Sequence, residues 1–177
     1  WRMKTIFLFF IFIFLSGCTT KYSQKTNFIQ FENNSLQTRH NSQIFVKSDF
    51  KEFYSDKMWY TKHDEFKSFG INFWSKSPVD LTKEAFLSQG FTSENNRDTK
   101  HIIKINILKF YQSFENNESY ALSSFEVLVY EANTQKIIAN QLFYYKTLCQ
   151  ENSPKGSLKG FKKNLEDLIS EVNRLIT

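Results

Sequence analysis

The chain has 177 residues, a formal charge of +5 and an aromatic content of 18%. That length is enough for about one domain with a real core, and with two Pro and five Gly the composition is that of a packed, strand-rich protein and not of a disordered one. The basic residues are scattered among acidic ones as on an ordinary solvated surface, which gives no case for nucleic acid as a partner.

The chain opens on a signal-like segment. Lys4 is followed by an apolar run over residues 6–15, which ends at small residues and a cysteine. About 18 apolar residues are needed to cross a bilayer, so a run of this length reads as a secretory signal and not as a membrane span. Trp1 and Arg2 precede Met3 and are read as non-native, with the native start expected at Met3. The stretch Leu15-Ser16-Gly17-Cys18 resembles the lipobox of bacterial lipoproteins. The resemblance implies that the Cys18 thiol receives a diacylglycerol, that the peptidase cuts before it, and that the new amino terminus is acylated. One acyl chain holds a protein only marginally and several hold it firmly, at about 0.8 kcal/mol per buried methylene. The alternative is an ordinary signal peptide with a chance cysteine. Arg2 and Lys4 leave with the signal and no acidic residue does, so the mature charge is milder still.

Residues 19–43 are polar and read as a tether, with Phe28-Ile29-Gln30-Phe31 as a short first strand. The alternation Ile44, Val46 against Phe45 predicts a strand. A second apolar stretch holds Met58, Trp59 and Tyr60, and a third runs over 69–74, with Gly70 marking a bulge. Residues 62–67 between them are charged and read as a turn or as the solvated side of a hairpin. Ser77-Pro78 starts a helix predicted over 78–89, which Gly90 ends. Residues 101–111 form the clearest strand, with Ile103, Ile105 and Ile107 on one face and Ile102, Leu108 and Phe110 on the other. Turns at 115–118 and 132–135 separate it from strands over 120–131 and 136–148, which makes an antiparallel meander. In the second of these strands Phe125, Val127 and Val129 point inward. The last helix, over about 157–175, carries one apolar stripe that includes Leu158, Phe161, Leu165, Leu168 and Val172. The fold class is α/β of the α+β type, a mostly antiparallel sheet with two helices packed on one face. The domains are a signal at 1–17, an acylated cysteine and tether at 18–43, and one globular unit at 44–177.

No catalytic set, metal cluster or cofactor motif is expected. His40, His63 and His101 are far apart, and His63-Asp64-Glu65 is a short polar cluster on a loop. Cys149, with Thr147 and Leu148 before it, reads as a packing residue at a strand end. Two features could bind. One is the aromatic group of Trp59, Tyr60, Phe69, Phe73 and Trp74, read either as packing or, through Trp59, Tyr60, Phe73 and Trp74, as a face for a partner or a lipid. The other is Lys155, Lys159, Lys162 and Lys163 at the start of the last helix, read as solvated surface or as a contact with anionic head groups.

The order of elements carries a further resemblance. After the lipobox come a strand, an aromatic segment, Trp74-x-x-x-Pro78 opening a helix and Leu87-x-x-Gly90-Phe91 closing it. A strand ending Leu108-Lys109-Phe110-Tyr111-x-x-Phe114, two more strands and an amphipathic helix follow. This order resembles the ABC-type transport auxiliary lipoproteins over most of residues 43–177. The Tyr-Leu-type first strand of that family has no clear counterpart in residues 19–43. The resemblance implies a non-catalytic partner of transporters with mammalian-cell-entry (MCE) domains, which move lipid between the inner and outer membranes of Gram-negative bacteria. Its partners would be the MCE-domain protein and the ABC permease and ATPase, with the membrane reached through Cys18 and homo-oligomers left open. Thr19 is not the aspartate that retains lipoproteins in the inner membrane of such bacteria, so an outer-membrane site facing the periplasm is expected. The rival reading is an assembly factor for an outer-membrane protein or a lipopolysaccharide-handling complex.

Overall fold

The structure, a computed structural model, describes residues 23–31, 40–94 and 97–177. The signal segment, Cys18 and part of the polar tether lie outside the described residues. The elements are β1 (Lys25–Asn27), β2 (Ser42–Ser48), β3 (Lys57–Lys62), β4 (Glu65–Trp74), α1 (Pro78–Ser88), β5 (His101–Glu115), β6 (Glu118–Glu131), β7 (Ile137–Leu148) and α2 (Leu158–Ile176). The seven strands form one sheet in the order β1-β4-β3-β5-β6-β7, with β2 also paired to β5. The sheet is mixed. β5, β6 and β7 are antiparallel neighbours, whereas β2 and β3 both run parallel to β5. Among the described residues no helix is long and apolar enough to cross a membrane.

Two hairpins are closed by two-residue turns. His63 and Asp64 have φ of 50° and 62°, and Asn116 and Asn117 have 47° and 67°. Positive φ at both central positions is what a turn matched to the strand twist requires, and Asn and Asp tolerate it best. α1 starts where the sequence places it. Ser77 Oγ accepts the Asp80 N–H at 3.2 Å and donates to the Asp80 carboxylate at 2.6 Å. It ends at Gly90, whose φ of 91° favours glycine.

β5 is the axis of the sheet. Its first half pairs with β2, Ser42 opposite His101 through Ser48 opposite Ile107. Its second half pairs with β3, Tyr60 opposite Gln112 through Lys62 opposite Phe114. Between the halves Leu108 is an extra residue, since Ile107 faces Phe125 and Lys109 faces Ser124. A bulge of this kind reverses side-chain parity. Phe110 therefore joins Ile103, Ile105 and Ile107 in the core, all with no exposed surface. This corrects the simple alternation that sets Phe110 on the opposite face. A second irregularity falls in β4, where residues 69–72 separate Ser68 (opposite Trp59) from Phe73 (opposite Lys57). Gly70 lies within it, as its sequence position suggests.

The first strand is also displaced from expectation. It is Lys25-Thr26-Asn27, three residues before the Phe28–Phe31 patch, and it runs parallel to β4. Polar contacts choose this stretch. The Asn27 amide donates to the Phe73 carbonyl at 3.2 Å, and the Asn27 carbonyl accepts the Ser75 N–H at 2.8 Å. Part of the segment read as tether is thus a strand of the sheet. Ile29 is buried beside it, and Phe28 is exposed.

Both helices lie over one face of the sheet. Phe161 of α2 stacks on Phe110 at 4.5 Å and meets Trp74 edge-on at 5.2 Å. Asn164, fully buried, bridges α2 to two strands. Its amide donates to the Ala121 carbonyl at 3.1 Å and to Ser123 Oγ at 3.0 Å, and its oxygen accepts from Thr147 Oγ1 at 2.6 Å. At Gly160 a Cβ would stand 2.6 Å from the Ala121 Cβ, so the helix rests directly on β6.

Asn164→Leu leaves Ser123 and Thr147 without their partner, and Gly160→Val forces the helix off β6. Each is expected to lower the unfolding free energy by about 1–3 kcal/mol in urea titration. The exposed Lys159→Ala serves as control, with a change within about 0.5 kcal/mol. Equal effects in all three would refute the bridge.

Candidate functional site

The helices cover one face of the sheet and leave the other open. That open face is built by parity. Along β6 the residues Ala121, Phe125, Val127 and Val129 turn to the helices, so Tyr120, Leu122, Leu128 and Tyr130 turn away. On β7 the same alternation sends Leu142, Tyr144 and Leu148 outward, each more than half exposed. The bulge at Leu108 sends Tyr111 to this face. There Trp59 stacks on Phe66 at 4.9 Å, and Phe66 meets Tyr111 edge-on at 5.4 Å. The Trp59 indole N–H donates to the Glu52 carbonyl at 3.3 Å, which fixes the ring.

Lysines are interleaved with these rings. Lys104 Nζ lies 4.6 Å from the centre of the Tyr130 ring, Lys109 Nζ 5.5 Å from that of Tyr144, and Lys146 Nζ 4.3 Å from that of Tyr120. A cation over an aromatic face is held by the ring quadrupole. Lys146 also pairs with Glu115 at 2.5 Å. That hydrogen bond holds the Glu115 carboxyl below its ordinary value and Lys146 above its own. Burial is the main reason the Tyr111 phenol is pushed up, with Tyr144 and Glu115 adding to it. The result is an apolar floor with charges of both signs, Lys104 and Lys109 beside Glu126 and the Lys146–Glu115 pair. It suits contact with a partner that offers apolar groups and carboxylates or phosphates.

The four residues proposed from sequence for such contacts do not come together. Trp59 is on the open face. Tyr60 points the other way and packs with Phe69 at 4.5 Å and Phe114 at 5.8 Å. Phe73 is half-buried opposite Lys57. Trp74 is 2% exposed and belongs to the core between Phe110 and Phe161, so it offers a partner no surface. Phe66, Tyr111, Tyr120, Tyr130 and Tyr144 are not among the contact residues that the sequence suggests. The tyrosines of β6 and β7 could have been found, because they alternate with the inward residues of their strands. The lysine cluster of α2 is partly spent on its own helix, Lys162 with Glu166 at 3.7 Å and Lys163 with Asp167 at 2.7 Å.

Two concavities lie elsewhere. An open cleft of about 830 Å³ lies between the two hairpin tips, lined by His63, Asp64, Glu115, Asn117 and Asn152 among others. A groove of about 690 Å³ runs between Phe28, Phe31 and the Glu84, Leu87, Ser88 side of α1. Among the described residues no three His, Cys, Asp or Glu side chains are grouped to hold a metal ion.

No protein-family model matches the chain, and no curated protein sequence matches it. Solved structures do. Protein XCC0632 from Xanthomonas campestris, described as a member of the family DUF330, aligns at a TM-score of 0.66 with 14% identity over 87% of this chain and 92% of its own. A second structure, described only as an uncharacterized protein, aligns at 0.69 with 10% identity over 88% of this chain and 100% of its own. The fold is shared with these two. Lipoprotein GNA1162 from Neisseria meningitidis aligns at a TM-score of only 0.30, with 13% identity over 60% of this chain and 75% of its own, and carries no argument.

Two groups on and after β7, the partly buried Tyr145 and the buried Cys149, give the domain an alkaline limit. Burial pushes up the Tyr145 phenol, whose hydroxyl has no hydrogen-bond partner, and the Cys149 thiol. A folded pKa raised above the unfolded one adds stability that is complete below the unfolded value and is lost as pH rises past it. The loss is expected to begin near the ordinary thiol and phenol values, between about pH 8.5 and 10. Tyr145→Phe removes an unpartnered hydroxyl, so it should not destabilise at pH 7 and should flatten the alkaline loss in denaturation followed from pH 7 to 11. A strongly destabilised variant at pH 7 would mean that the hydroxyl is bonded.

Proposed function

We propose that the protein is a lipoprotein anchored through Cys18 to the outer membrane and facing the periplasm, where it serves an ABC-type lipid transport system as a non-catalytic accessory. The observation that carries the reading is Leu15-Ser16-Gly17-Cys18 at the end of an apolar run too short to span a bilayer. The order of elements behind it agrees with the auxiliary lipoproteins. The open face supports the same reading, because it is a broad surface and not a reaction cleft. Its rings and lysines would receive the periplasmic part of the transporter, an MCE-domain protein, and hold it near the outer membrane. In this role the domain needs no cofactor and no metal.

The tagged protein, extracted in mild detergent from its own membranes, is expected to bring down an MCE-domain protein or its permease and ATPase, identified by mass spectrometry. Radiolabelled palmitate should enter the parent chain and not Cys18→Ala, and the parent should fractionate with the outer membrane. Recovery of an outer-membrane barrel or of a lipopolysaccharide-handling complex instead would make the protein an assembly factor. Absence of label in the parent would remove the anchor.

A further inference from the structure

Besides β2, whose outer side bonds Thr92, the sheet ends on two strands, and they are unlike. One is β1, three residues long. The other is β7, twelve residues long. Proteins blunt exposed edges by keeping them short, by proline, by bulges or by charge. Shortness protects β1. β7 has no proline and a single charged residue, Lys146, and its one irregularity lies at its start.

The direction of its free groups follows from one hydrogen bond. Cys149 N–H donates to the Ser119 carbonyl at 2.8 Å, continuing the β6–β7 register. In an antiparallel pair, alternate residues turn both backbone groups to the neighbour. The odd residues of β7 therefore bond β6, and Asn140, Leu142, Tyr144 and Lys146 turn N–H and C=O outward. Among the described residues no strand pairs with that edge.

We propose that this edge pairs antiparallel with the β7 edge of a second copy, across a two-fold axis at Phe143. The register is self-complementary. It places Tyr144 opposite Leu142, apolar against apolar. It places Lys146 opposite Asn140, so no like charges meet directly. The Lys146 charge is already matched within its own subunit by Glu115. The edge thus presents no unmet charge that would select an unlike partner, and its outward groups and side chains fit those of an identical strand. The pairing also keeps both open faces on the same side of one continuous sheet. It rests on the β7 edge alone and stands apart from the transport reading.

Two variants of the full chain test it. At the axis the facing Phe143 residues form a non-hydrogen-bonded pair with Cα atoms about 4.5 Å apart, within disulfide range. Phe143→Cys is expected to give a reductant-sensitive dimer on mild oxidation in membranes. Leu142→Lys changes an exposed residue, so the fold should hold by circular dichroism, but it sets new charges beside the axis. It should weaken self-association at least about tenfold in sedimentation in density-matched detergent. A parent chain that sediments as a monomer at tens of micromolar overturns the proposal. So do an unchanged dissociation constant in Leu142→Lys and cross-linking of Phe143→Cys to a different protein.

Discussion

The last helix can lie on this sheet only because β6 is stripped of bulk beneath it. Gly160 has no side chain where a Cβ would stand 2.6 Å from that of Ala121, and Ser119 and Ser123 on the same face are fully buried. The close approach makes room for Phe161 to stack on Phe110, and it brings Asn164 within reach of both β6 and β7. An apolar side chain at 164 would let the helix slide along the sheet. A buried amide with three partners fits one position, because any shift leaves polar groups unpaired at a cost of about 1–3 kcal/mol each. The helix therefore fixes which face is closed, and the opposite face is left to solvent and partners.

The bulge at Leu108 acts on both faces at once. A regular β5 would have carried one parity through its length and sent Phe110 outward and Tyr111 inward. The extra residue exchanges them, so the core gains the ring that Phe161 and Trp74 pack against, and the open face gains the ring that meets Phe66. The bulge also sits where β5 passes from one parallel neighbour to the other, β2 before it and β3 after it. Bulges bend and twist the strand that carries them, which helps one long strand serve two shorter ones end to end.

This arrangement was partly legible in the sequence. The Ile103, Ile105, Ile107 alternation, the inward Phe125, Val127 and Val129, the Ser77-Pro78 start and the stripe of the last helix all appear in the structure because local pattern and burial agree there. Phe110 was misplaced because a bulge has no signature of its own in an apolar run. β1 was shifted because hydrophobicity points to Phe28-Ile29-Gln30-Phe31, whereas the strand is decided by the hydrogen bonds of Asn27 with Phe73 and Ser75. The parallel pairing of β2 and β3 with β5 is long-range, and nothing within those short strands announces it. The aromatic group around Trp74 failed as a unit because nearness in sequence is not nearness on a face. Trp59 and Trp74 lie on neighbouring strands but on opposite sides of the sheet, one stacked on an exposed ring and the other closed in under α2.

The order of strands also constrains how a membrane-tethered copy can sit. Five strand spacings separate β1 from β7, about 24 Å at the usual interval. On the reading that Cys18 carries the anchor, the chain between it and Lys25 can reach at most about 25 Å when extended. The β1 edge is then held close to the bilayer by a short leash, and the β7 edge can stand as far away as the sheet is wide. If two copies meet at β7, their β1 edges lie at the two ends of a continuous sheet. Both leashes then reach one bilayer when the two-fold axis stands along the membrane normal, which turns one face of the twisted sheet toward the bilayer and the other away from it. The face with surface to offer is the open one, where Trp59, Phe66, Tyr111 and the lysine-capped tyrosines lie. If both proposals hold, edge, anchor and face point to one geometry, in which the helices turn to the membrane and the aromatic platform turns away from it.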